Sequence, residues 1–151
     1  MTSEVVAGLT GGLLALAGAL VVQWLAGRQS RHDRRIQLIA NFLADAGQLV
    51  FDSVRTRVAI VSDNTDQSDV NDALQIAINT FDRAKRSGQE LAFLCPKPTA
   101  EEIAVLLTKL ETMLLDAFPG TTSDEEFDAM ENDASATIDA LRLSLLDQFG
   151  A

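Results

Sequence analysis

The residues able to do acid, base, nucleophilic or metal chemistry are few in this 151-residue chain, and they stand apart from one another. His32 is the only histidine and sits among four arginines, a setting for a side chain at lipid-headgroup level and not for a general base or ligand. A lone histidine also cannot supply the paired Glu-x-x-His motifs of di-iron bundles. Cys95 is the only cysteine, which excludes an intrachain disulfide and a cysteine-built metal site. Between Leu94 and Pro96 it reads as a small core or loop residue, with palmitoylation as the alternative. Asp63, Asp66 and Asp69 recur at threes, but a calcium loop starting at Asp63 needs Gly where Ser68 stands and Glu where Leu74 stands. They read as turn and N-cap residues. With no Gly-rich phosphate loop, nucleophile elbow or zinc spacing in the chain, the expectation is a non-enzyme that holds no cofactor and no metal.

One charged group remains: Asp124, Glu125, Glu126, Asp128, Glu131 and Asp133 within ten residues. Carboxylates near a helix start favour the helix dipole, and a charge run is ordinarily a solvated face. The functional alternative is a docking surface for a basic protein partner, with Asp124, Glu125, Glu126, Asp128 and Glu131 as its candidates.

The formal charge of -10 conceals an asymmetry. Residues 28–35 hold Arg28, Arg31, Arg34 and Arg35 against Asp33, whereas residues 36–151 hold eight Lys or Arg against 20 Asp or Glu. A domain so acidic lacks the cationic footprint from which phosphate binding draws its affinity, so no nucleic-acid partner is expected.

The elements that position these residues begin with an apolar one. Val5 to Ala26 is a run of 22 residues without a charge, about 33 Å long as a helix, against a hydrocarbon core of about 30 Å. Trp24 and the collar of Arg28, Arg31, Arg34 and Arg35 follow it, as at a cytoplasmic membrane boundary. The run predicts a single-pass transmembrane anchor over residues 1–27, with its N-terminus outside, a basic juxtamembrane collar over 28–35, and an acidic cytoplasmic domain over 36–151. A signal peptide would carry its basic stretch before the apolar core, and a buried soluble helix rarely stays uncharged for so long. Within the run, Ala7, Gly11, Ala15 and Ala19 form a row of small residues every fourth position, and Gly8 with Gly12 makes an adjoining pair. Such a row lets two membrane helices pack closely, which predicts a homo-oligomer or a foreign membrane partner.

The remainder reads as all-α. Ile36, Ile39, Leu43, Ala46, Val50, Val54, Val58 and Val61 recur at threes and fours, predicting that the membrane helix continues as one rod. A second helix, from Ser68 or Asp69, should bury Leu74, Ala77, Phe81, Ala84, Gly88 and Leu91, and perforce ends before Pro96 and Pro98. Gly88 in mid-helix marks a kink or a close helix contact. Thr99 with Glu102, and Ser123 with Glu126, have the form of capping boxes. They open helices that bury Ile103, Leu106, Leu107, Leu110, Met113, Leu114 and Ala117, then Phe127, Met130, Ala134, Ile138, Leu141, Leu145 and Phe149. Short loops favour an antiparallel four-helix bundle.

Two function classes fit this frame. The first is a membrane-tethered protein–protein interaction module, a scaffold or accessory subunit of a membrane complex. The alternative is a membrane-active effector of the phage lysis or exclusion type, oligomerising through its glycine-rich helix.

Overall fold

The computed structural model describes the backbone of residues 2–62, 66–118 and 122–149, and the side chains of these except residues 2–26 and 28–31. The described chain is all-helical, with α1 (Thr2–Val61), α2 (Gln67–Ala92), α3 (Lys97–Asp116) and α4 (Asp124–Phe149) and no strand. It divides into two compact units, residues 1–36 and 37–151.

The first unit is helical from Thr2 onward. Ala7, Gly8, Gly11, Gly12, Ala15, Ala19, Trp24, Arg28 and Arg31 have their side chains outside the described set, while Arg34 and Arg35 are exposed. The expected transmembrane helix finds no support here. Among the described residues no helix is long and apolar enough to cross a membrane, and the side chains of the run Val5–Ala26 that carries the expectation lie outside the described set.

The second unit is a helical bundle whose neighbours run antiparallel. Asp45 meets Arg83 and Asp52 meets Thr80, pairing α1 with α2 in opposite directions. Lys109 meets Asp133 and Thr99 meets Gln148, pairing α3 with α4 in the same fashion. Arg57, late in α1, meets Asp124, first in α4. The core between them holds Phe42, Leu49, Leu91, Ile103, Leu106, Leu110, Met113 and Leu145, all fully buried.

Each helix has a local reason to start or to pack where it does. Ser123 and Glu126 form the expected reciprocal cap: the Ser123 N–H donates to the Glu126 carboxylate at 2.9 Å, and the Glu126 N–H donates to the Ser123 hydroxyl at 3.3 Å. The cap expected at Thr99 and Glu102 does not form, because α3 begins three residues earlier. Pro96 is its N-cap and Pro98 sits in its first turn, where a missing N–H has no intrahelical partner to lose. Thr99 is therefore helical and buried, and its hydroxyl accepts from Gln148. Gly88 marks a close contact: a Cβ there would lie 2.7 Å from a ring carbon of the fully buried Phe42. With Ala73, Ala77, Thr80 and Ala84 it gives α2 a face of small residues on which α1 packs.

The sharpest departure from expectation is in α1. The aliphatic row read as its core face is buried only in its first part, at Ile39, Ala46 and Val50, with Leu43 and Val54 packed at the margin. Ile36 is exposed, and so are Val58 and Val61, at 63% and 54%. The buried places in the last three turns are taken by Asp52, Ser53, Thr56 and Arg57. Asp52, Thr56 and Arg57 find hydrogen-bond partners there, so α1 turns a polar face inward and leaves aliphatic side chains outside.

Candidate functional site

The buried polar face of α1 builds two junctions. Towards α2, the Thr80 hydroxyl and the Gln48 amide each donate to the Asp52 carboxylate at 2.9 Å, and the Thr56 hydroxyl donates to the Asp52 carbonyl at 2.8 Å. A carboxylate out of water needs such donors, since leaving them unmade costs more than each bond contributes. Arg83 extends the chain, donating to Thr80 and to Asp45, both at 3.2 Å. Ser53, fully buried beside them, has a hydroxyl with no partner among the described residues.

Towards α4, Arg57 is the organising residue. Its Nε and Nη2 both donate to Asp124 Oδ1, at 3.1 and 2.7 Å. Its Nη1 donates to the Asp116 carbonyl at 2.9 Å, and Nη2 also reaches the Thr122 carbonyl at 3.0 Å. The guanidinium lies 4.5 Å from the centroid of the Phe127 ring, within cation–π range. One side chain thus ties the end of α1 to the end of α3, the α3–α4 connection and the start of α4. The planar fork of arginine makes this possible; a lysine presents one point charge and could not reach all four groups.

Above this clasp lies an open groove of about 380 Å³, lined by Val54, Arg57, Val58, Val61, Asp124, Phe127 and Asp128 among others. Its α1 wall is an aliphatic row, Val54, Val58 and Val61, spaced as one helix face, and Phe51 stands one turn earlier on that face, outside the lining. Phe51 is 62% exposed. Its α4 wall carries Asp124 and Asp128, with Glu131 one turn on at the same helical spacing.

The structure therefore sorts the five acidic candidates. Asp124 and Asp128 line the groove, and Glu131 follows them along α4 at helical spacing, outside the lining. Glu126 is turned back into the cap with Ser123, whose backbone N–H and hydroxyl hold its carboxyl below the ordinary carboxylate value. Glu125 is exposed and lines no part of the groove. Sequence reasoning missed Arg57 and the wall it supports. The available signal was an arginine in register with Leu49, Val50 and Ser53, which the neighbouring valines outweighed.

His32 is exposed, Cys95 is half-buried, and Asp66 is the N-cap residue of α2. Asp63 lies outside the described residues, and among those described no group of His, Cys, Asp and Glu could hold a metal ion. Comparison of the chain with protein-family models, curated proteins and solved structures finds no match.

Proposed function

We propose that the chain is a membrane-tethered protein–protein interaction module, a scaffold or accessory subunit whose bundle is held at the cytoplasmic side of a membrane by residues 1–27. The tether is read from the uncharged run Val5–Ala26 and the arginine collar that follows it. The observation that carries the docking role is the exposed row of Phe51, Val58 and Val61 beside a carboxylate-lined wall. Large apolar side chains grouped on one surface are a mark of an interaction site, whereas scattered ones are ordinary.

The test is purification of the full chain in mild detergent from the cells that make it. A partner protein should co-purify at fixed stoichiometry and be lost from Val58→Asp, while that variant keeps the helical circular dichroism of the parent. Homo-oligomers alone, together with collapse of membrane potential on expression, would instead make the chain a membrane-active effector.

A further inference from the structure

Resting on that reading, we propose that the α1/α4 groove takes an amphipathic helix from another protein, apolar on one face and flanked by Lys or Arg. The apolar wall fits such a helix in length and spacing. From Val54 to Val61 the wall is about 10 Å long, two turns, with members at i, i+4 and i+7, and the exposed Phe51 one turn before it extends the apolar face to about 15 Å. A helix laid in a groove presents anchors at the same intervals. The groove is open along one side, so a small ligand would leave much of its surface in water, while a helix laid along it closes it.

The charge of the occupant follows from the other wall. Asp124, Asp128 and Glu131 stand at i, i+4 and i+7 along α4. Asp124 is the partner of Arg57, yet its side chain remains 81% exposed, so it still faces an incoming ligand. Arg55, on the outer side of α1, is the one cation near the row on that helix's last three turns apart from the clasped Arg57. An acidic helix would meet three carboxylates, whereas a basic one finds complementary charge, which steers encounter and fixes orientation.

A second copy of the chain is a poor occupant. The domain surface it would bring is net acidic; of its basic stretches, residues 28–35 contain no Leu, Ile, Val, Met, Phe or Trp to fill the groove, and Arg83, Lys85 and Arg86 stand on α2, whose inward face is already buried in the bundle.

The experiment uses the full chain in phosphatidylcholine nanodiscs and two labelled 14-residue helical peptides, one of Leu and Lys and one of Leu and Glu. Anisotropy is read against empty discs. The Lys peptide should bind, and the Glu peptide should bind at least tenfold more weakly. Val58→Asp and Asp128→Lys should each weaken the Lys peptide about tenfold or more. Glu102→Lys, an identical charge change at an exposed position on α3, should alter it less than twofold. Equal binding of the two peptides, or equal weakening by Glu102→Lys and Asp128→Lys, would overturn the proposal by reducing it to the diffuse charge of the domain. If the peptides fail in this way while Val58→Asp still loses the co-purifying partner, the interaction module stands and only the basic helix falls.

Discussion

Helix α1 meets α2 and α4 in opposite ways. Against α2 it is closed: Phe42 presses on Gly88 at a distance that leaves no room for a methyl group, and Asp52 is buried under Thr80 and Gln48. At its other end, beside the start of α4, it is pinned by Arg57 next to an open groove that leaves Val58 and Val61 in solvent. The same helix therefore supplies stability on one side and unsatisfied apolar surface on the other. A bundle that needed only to fold could have buried those valines and exposed the arginine.

Removing the pin is the strongest way to break that contrast. Arg57→Met should cost about 2–3 kcal/mol, since charged hydrogen bonds contribute about 1.5–3 kcal/mol and the exposure of Asp124 discounts the ion pair. Chemical denaturation measures it, and amide exchange should rise first at the start of α4. A loss below about 0.5 kcal/mol would mean that the junction is held by apolar packing alone.

The two described glycines of the second unit sharpen the contrast with smaller effects. Gly88→Ala gains helix propensity but forces the buried Phe42 ring to move, so a net loss of about 1–2 kcal/mol is expected. Gly47 has nothing within 4 Å of where its Cβ would stand. Gly47→Ala should therefore stabilise, by up to about 1 kcal/mol. Thermal melts of the pair should move in opposite directions.

The smallest effect is at the cap of α4. Because Ser123 holds the Glu126 carboxyl below its ordinary value, that carboxylate's contribution is present in full above the unfolded-state pKa. It is lost as pH falls through the depressed folded-state value. Ser123→Ala should return the Glu126 titration to the ordinary carboxylate range, read by carbon-detected NMR, and should flatten the acid limb of stability slightly.

How much of this could be read from residues alone differs by helix for a physical reason. In α3 and α4 the buried residues are nearly all apolar, so periodicity finds Ile103, Leu106, Leu110, Phe127, Leu141 and Leu145 directly. In α2 the inward face is built of Ala, Thr and Gly with Leu91 near its end, and the larger Leu74 and Phe81 fall at its margin. In α1 the rule inverts: Asp52 and Arg57 are buried because each finds partners on distant parts of the chain, which no local pattern encodes. The acidic stretch at the start of α4 was visible as charge. Its division into cap, clasp and groove wall depended on where α1 comes to lie, and so did the groove itself.

The most direct test places a photo-crosslinking residue in the full chain, in the cells that make it, at Val58 and separately at Leu115. Both positions are exposed, at 63% and 64%, but only the first lines the groove. The account predicts a discrete adduct with one foreign protein from position 58 and none from position 115. Identical adducts from both positions, or an adduct from position 58 with a second copy of the chain alone, would contradict it.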